Sequence, residues 1–429
     1  MSRKIAVLII LLLLLSLTRS KKALAADPYW LGWYTDVKFS LADYKQSGVN
    51  LVLPVADTQN LLPTSSPTYQ SYLDEAQRQG IKVIVPAYVT NGKTLEEHIS
   101  FYKVHPALFG WYLADEPECS WSYVSPTLLK TEWYDKVKNT DLNHPSLTAF
   151  CATTGCPSYP ASQRPYYNSL DIIMADDYEF KNGTPEFHNI GNIKNVVDTF
   201  VKEAKDNGKN GFIFVPQGFC GAGQWRCPTQ PELRYSLYTA VVRDTLGTLF
   251  YADYLADNST WTGVNSLIKE VSSLGEAVRN GTFMDPAISI SGEGKSYFSY
   301  KYGSDASYHY LIVVNDAGFT LAPTFTLPAD VSIDRVEVLN ENRSLSVTNR
   351  AFTDSYTKYQ VHLYKFPKPG PTVTPTPLLG DLNNDNHVNA ADFSIFAAKY
   401  GTNDSACDFN HNGTVDAPDF DILKSNYGR

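Results

Sequence analysis

The run LFGWYLADEPE, residues 108–118, is a short apolar stretch that breaks off in Asp115, Glu116, Pro117 and Glu118. Seven runs of similar character share residues 27–275 with it: LGWYTD (31–36), NLVLPVAD (50–57), KVIVPAYV (82–89), SLTAFCA (146–152), DIIMADDYEF (171–180), GFIFVPQGF (211–219) and LGTLFYADY (246–254). Between several of them the apolar residues take helical spacing, as in TYQSYLDEAQRQG, TLEEHISFYKV, NIKNVVDTFVKEAKDNG and PELRYSLYTAVVRDT. Two of these stretches end in Gly80 and Gly208, where a helix C-cap wants a glycine. Eight strands, each followed by a helix or connecting loop, predict a (β/α)8 TIM-like barrel over residues 27–283. The unit behind SLTAFCA is the weakest, because its Pro- and Tyr-rich sequence makes a poor helix. A doubly wound open sheet is the alternative.

The pattern changes beyond residue 283. Helical periodicity gives way to alternating runs, YHYLIVVND, PTFTLP, DRVEVLN and YQVHLYKF, which predict a small antiparallel β-sandwich over 284–367. Its plain role is to pack against the barrel. The segment PGPTVTPTP (369–377) cannot pack and marks a linker over 368–378, ahead of a tail at 379–429.

The chain has 429 residues and a net charge of −9, which argues against nucleic acid as a partner. Arg3 and Lys4 precede an apolar run from Ile5 to Leu17 that is short for a bilayer span, and Ala23-Leu24-Ala25 fits a small-x-small cleavage site. Residues 1–25 therefore read as a signal peptide. The mature protein is expected outside the cell or on its surface, with no membrane span. Export permits disulfides. Cys151 with Cys156 and Cys220 with Cys227 are the plausible loop staples, although spacing alone does not fix connectivity.

The tail repeats itself. GDLNNDNHVNAADF begins at Gly380 and CDFNHNGTVDAPDF at Cys407, an offset of 27 residues. A hard cation such as calcium needs six to eight oxygen ligands, and oxygen-bearing side chains at loop positions 1, 3, 5, 9 and 12 supply them. The first loop offers Asp381, Asn383, Asp385, Asn389 and Asp392, and the second Asp408, Asn410, Asn412, Asp416 and Asp419. The carbonyls of His387 and Thr414 take position 7, and Val388 and Val415 at position 8 are placed to join the loops to each other. This arrangement resembles the type I dockerin family, a small α-helical, EF-hand-like module. The resemblance implies two Ca2+ ions, folding coupled to metal and docking to a cohesin-like domain. Asn386 replaces the usual Gly at position 6. Ala390-Ala391 and Ala417-Pro418 replace the Ser/Thr pairs that often touch cohesin.

Barrel enzymes keep their chemistry at the C-terminal ends of strands, where Asp115-Glu116-Pro117 falls. Cleaving a glycosidic bond takes two carboxyl groups, one protonated to donate to the leaving oxygen. The segment resembles the Asn/Asp-Glu-Pro motif on the fourth strand of the (β/α)8 glycoside hydrolase clan, which implies Glu116 as the acid/base. QPELRYSLYTAVVRDTLGTLFYADY (230–254) is similar to the corresponding stretch of secreted glycosidases of this type. In that clan strand seven carries a nucleophilic Glu, but Gln217 stands there in this chain. The second carboxylate is expected from strand six, as Asp177 or Glu179, with Asp176 beside them; Asp36, Asp57 and Asp253 also lie at strand ends. Trp33, Tyr34, Tyr178 and Gln217 are the candidate substrate contacts. The expected function is hydrolysis of a polysaccharide. The alternative is a non-catalytic carbohydrate-binding or surface-assembly protein on a degenerate barrel, which Gln217 favours.

Overall fold

A computed structural model describes residues 28–35, 40–54, 69–88, 93–153, 156–221, 223–252, 258–368 and 378–428. The expected signal segment, the Pro-Thr run and the strand-end carboxylates Asp36, Asp57 and Asp253 lie outside them. The chain divides into two compact units, one running through Lys368 and one starting at Pro369.

Every one of the eight expected strands forms. They are β1 (Trp30–Thr35), β2 (Leu51–Pro54), β3 (Lys82–Pro86), β4 (Leu108–Asp115), β5 (Ser146–Cys151), β6 (Ile172–Asp177), β7 (Phe212–Pro216) and β8 (Gly247–Ala252). All pair in parallel with their sequence neighbours, and β8 closes on β1 with Trp30 opposite Gly247 and Thr35 opposite Ala252. That closure makes a barrel and rules out the open sheet. Gly247 allows it locally, since a Cβ there would lie 2.5 Å from the Trp30 carbonyl oxygen on β1.

Strand alternation sorts the side chains into two layers. Tyr34, Leu53, Ile84, Tyr112, Leu147, Met174, Val215 and Leu249 fill the inside. Trp33, Val52, Val83, Ile173, Ala175 and Phe214 face outward and pack with the surrounding helices. Those helices start on side-chain caps. Ser40, Thr94 and Thr229 each form a capping box with the acidic residue three positions on. Gly80 and Gly208 sit past helix ends at φ 66° and 64°, as their positions predict. Behind β5, among the described residues, the chain makes only a short 3-10 helix, Arg164–Ser169. Pro157, Pro160 and Pro165 leave too few backbone donors for an α-helix there.

Nine short strands between Thr282 and Pro367 form a six-stranded and a three-stranded antiparallel sheet around their own apolar core. The barrel helix Gln230–Val242 leads into Arg243, whose guanidinium reaches this sandwich. It donates to Asp316 and Ser299, at 2.6 Å each, with Arg243 and Asp316 almost wholly buried. The second unit holds two helices, Ala390–Lys399 and Ala417–Asn426, each directly behind one of the repeated loops.

Candidate functional site

Strand β4 is irregular where it matters. Its register with β5 slips between Tyr112 and Ala114, a bulge that re-aims the side chains after it. Glu116 then takes φ 42°, a left-handed conformation unfavourable for a glutamate. Two backbone bonds hold it there: Glu116 N–H to the Ala149 carbonyl at 2.9 Å, and Cys119 N–H to the Glu116 carbonyl at 3.1 Å. Tyr166 Oη donates to the Pro117 carbonyl and ties the same turn to the 3-10 helix.

The bulge and the turn bring Glu116 to Asp176 at the end of β6. The two carboxyl groups hydrogen-bond to each other. Asp176 is buried, and its Oδ1 has no other donor. Burial and the neighbouring Glu116 push its carboxyl far above the usual range. Glu116 is raised as well, first by burial; the bond from Asp176 pulls it down, the charge of Asp115 pushes it up, and a bond from Trp121 pulls it down again. Two carboxyl groups in contact cannot both ionise, so the pair holds a proton, on the deeper Asp176.

Asp177 and Glu179, the expected partners, lie elsewhere. Strand period decides it: Asp176 is in phase with the inward Ile172 and Met174, whereas Asp177 follows Ile173 and Ala175 on the outer face. Asp177 and Glu179 pair with each other there; the Asp177 carboxyl is raised, first by burial and then by the charge of Glu179, and Glu179 accepts from Asn192 of the helix Gly191–Asp206 at 3.3 Å. They do not join Glu116.

Asp115 does. The Tyr34 and Tyr112 hydroxyls donate to its Oδ1 at 2.8 and 2.6 Å and lie 2.8 Å from one another. Its carboxyl is open to solvent on one side and crowded by protein on the other. The crowding raises it and the two tyrosine bonds oppose the rise. Glu118 makes a third carboxyl on the turn. Its Oε1 accepts from Cys151 N–H at 2.8 Å and Gln163 Nε2 at 3.1 Å, its Oε2 has no donor, and burial pushes it up to about 7.

Of the expected sugar contacts, Tyr34 and the half-buried Tyr178 are at the mouth. Tyr178 stacks on Tyr251 at 5.6 Å and packs edge-on against Phe219 and Trp225. Trp33 is not at the mouth. It is an outer-layer residue with no exposed surface, stacked on Trp261 and donating to Asn265 Oδ1 at 3.0 Å. Gln217 is equally enclosed. Its Oε1 accepts from Phe180 N–H, and its Nε2 donates to the carbonyls of Phe219 and Arg226, so its polar atoms are spent inside the protein. Sequence reasoning missed the exposed Trp121, 61% accessible and bonded to Glu116, and Tyr123, 96% accessible. Two aromatics directly behind Asp-Glu-Pro were the available signal. Both expected disulfides, Cys151–Cys156 and Cys220–Cys227, are present, and Cys119 and Cys407 are buried thiols.

In the tail the repeated loops close on carboxylates. Oxygens of Asp381, Asp385 and Asp392 lie within 4.8 Å of one another. Asp392 accepts from the N–H groups of Leu382, Asn383 and Asn389, and Asp419 from those of Asn410 and Asp416. Each is therefore both loop position 12 and a helix cap. Asn383 and Asn410 point side-chain oxygens back at the N–H two residues on. Asn386 takes φ 65° where Gly413 takes 93°, so the asparagine adopts the left-handed turn that glycine makes in the other copy. The two valines do not join the loops to each other. Val388 accepts from Gly428 N–H, and Val415 exchanges bonds with Gly401 and Thr402, so each loop binds the far end of the opposite repeat's helix.

Residues 379–426 match the dockerin type I domain family, and the chain thus ends in a dockerin. No curated protein matches the chain. Among solved structures it is similar to CelM2, a bifunctional glucanase-xylanase from a metagenome library, with TM-score 0.52 and 9% identity, over 79% of this chain and 96% of that one. It is also similar to a glycoside hydrolase family 5 protein from Bacteroides vulgatus, with TM-score 0.50 and 15% identity, over 79% of this chain and 89% of that one. At such identities the likeness is one of fold.

Proposed function

We propose that the chain is a secreted glycoside hydrolase that cleaves a polysaccharide, with Glu116 delivering a proton to the glycosidic oxygen. The observation that carries this reading is the Glu116–Asp176 pair, a shared-proton carboxyl couple at the C-terminal mouth of a closed barrel. The arrangement is acid chemistry built by position. Asp176, the more buried member, stores the proton, and Glu116, the more open one, passes it to the substrate. As a bond to the leaving oxygen forms, Asp176 re-supplies Glu116.

The pair is one functional group, not two. Carboxyl groups acting on opposite sides of a glycosidic bond stand about 5–5.5 Å apart in retaining enzymes and about 6.5–9.5 Å in inverting ones. Glu116 and Asp176 are in direct contact. Asp115 is then the second carboxylate: it is open to the mouth and oriented by two tyrosine hydroxyls. Tyr178 and Trp121 supply faces for sugar rings, and the buried Tyr34 serves through its hydroxyl on Asp115.

For the tail we propose two calcium ions. Asp381, Asn383, Asp385, Asn389, Asp392 and the His387 carbonyl would hold one. Asp408, Asn410, Asn412, Asp416, Asp419 and the Thr414 carbonyl would hold the other. An all-oxygen donor set on a turned loop suits a hard cation. The dockerin then attaches the enzyme to a cohesin, with Ala390-Ala391 and Ala417-Pro418 setting a preference unlike that of a Ser/Thr dockerin.

The decisive experiment is reducing-sugar release from a panel of plant and microbial polysaccharides by the wild type and by Glu116→Gln. Release that the substitution abolishes supports the assignment. Release that survives it removes Glu116 from the chemistry. A second reading, a carbohydrate-binding protein on a barrel that has lost catalysis, draws on Gln217, which leaves β7 without a carboxyl. Binding without release from any polysaccharide would establish that reading.

A further inference from the structure

Tyr88, just past the end of β3, and Trp133, in the helix that follows β4, share a groove of about 250 Å³ with Ala87, Leu95, Glu132 and Lys136. Sites for drug-sized ligands run to roughly 300–1,000 Å³. This one has room for a single sugar ring. We propose that the groove binds one uncharged ring of a polysaccharide chain whose scissile bond lies at Glu116, so that the enzyme acts within a polymer rather than on a short sugar. The proposal rests on the assignment of Glu116 as the acid.

Three observations converge on it. The first is the backbone. The helix carrying Trp133 runs as α over Pro126–Leu128, as π over Leu129–Tyr134 and as α again over Asp135–Thr140. A π turn gives up good hydrogen-bond geometry and recurs at functional sites. Here it breaks helical phase at the two residues, Glu132 and Trp133, that line the groove.

The second is the aromatic path. The Tyr88 and Trp133 rings lie 6.1 Å apart, tilted by 32°, and Tyr88 lies 6.3 Å from Tyr112. Tyr112 donates to Asp115, the neighbour of Glu116. The groove is thus one aromatic contact from Tyr112 and, through it, beside the carboxyl of Asp115, on the same mouth as Glu116. Tyr88 is 39% accessible and Trp133 half-buried, so the rings are not simply core.

The third is charge. Lys136 Nζ and Glu132 Oε2 pair at 2.8 Å. Together they present donors and acceptors to sugar hydroxyls with no net charge, which favours a neutral ring over a uronic acid.

The test uses the full chain carrying Glu116→Gln, so that ligands are bound but not cleaved. Cello- and xylo-oligosaccharides from the disaccharide to the hexasaccharide are titrated by calorimetry, before and after adding Trp133→Ala. A second variant, Trp133→Phe, keeps a ring in place, and thermal melting confirms that each protein is folded. The expected result is an affinity that rises with chain length, a rise of about tenfold that Trp133→Ala abolishes and Trp133→Phe largely keeps. An unchanged length dependence in Trp133→Ala overturns the subsite while leaving the acid assignment intact. Equal weakening of short and long sugars also overturns it, because the tryptophan would then shape the central site. If no sugar binds any variant and wild type releases none, both the subsite and the enzyme reading fall.

Discussion

Asp176 in the barrel and Asp419 in the tail are both aspartates with almost no exposed surface, at 3% and 0%. Burial pushes both carboxyls up. Around Asp419 the N–H groups of Asp416 and Asn410 outweigh it and hold the carboxyl below its usual range. Around Asp176 the Tyr178 side chain gives one opposing bond, but the stronger partner is another acid, Glu116, and its Oδ1 has no donor. One residue type is left charged and ready for a cation, and the other keeps a proton to give away. Donor supply, together with depth in the fold, separates a metal ligand from an acid.

The comparison can be broken most sharply at Glu116. Replacing it with Gln removes the proton donor but keeps the shape, and hydrolysis is expected to fall by about 10²–10⁴-fold. Asp176→Asn should cost less at the optimum and shift the alkaline limb of the rate profile, where the acid loses its proton, because it removes the proton store and not the donor. A pH–rate series on both variants checks this. If Asp176→Asn leaves the profile where it was, the two carboxyls are not one group.

The next effect belongs to the tail. Removing calcium with a chelator should unfold the dockerin unit and leave the barrel's melting transition in place. At free calcium a thousandfold above the dissociation constant the ion contributes about 4 kcal/mol per site. Calorimetry with and without chelator reads two transitions, of which one should move.

Glu118 sharpens the same contrast through pH. Its carboxyl is raised from 4.5 to about 7, mainly by burial. The folded state therefore keeps a proton that the unfolded chain gives up, and stability falls as pH rises through that window. Glu118→Gln keeps the acceptor for Cys151 N–H and Gln163 and should flatten the loss, by at most roughly 3 kcal/mol between the two limits. Denaturant melts across that range decide it. The smallest effect is expected at Gln217. Gln217→Ala strands the Phe180 N–H and should cost about 1–3 kcal/mol of stability without moving the pH profile, if the side chain fills the barrel rather than binding sugar.

Much of this was legible in the chain itself. The eight apolar runs, the change of period near residue 283 and the two loops offset by 27 residues are local patterns, and each became the expected element. Glu116 was legible as the candidate acid because Asp-Glu-Pro ends a strand. Its partner was not. Asp176, Asp177 and Glu179 look alike as a string, and only the phase of β6 against the barrel interior selects Asp176. Trp33 misled for the same reason, since an aromatic at a strand end faces the mouth or the helices according to a register that one run does not reveal. The valines of the loops pair with the opposite helix ends because the repeat folds back on itself, a contact between segments far apart in the chain.

Sequence by itself determined the elements and the metal-type loops and singled out the candidate acid, because these depend on neighbours within a few residues: strand and helix period, oxygen spacing, a proline behind a glutamate. The tertiary structure alone decided which acids meet. Closing β8 on β1, bulging β4 beyond Tyr112 and holding Glu116 left-handed put Asp115, Glu116 and Asp176 around one mouth and sent Asp177 and Glu179 outside. A shared proton depends on contact between side chains 60 positions apart in the chain (116 to 176), and only the folded barrel creates that contact.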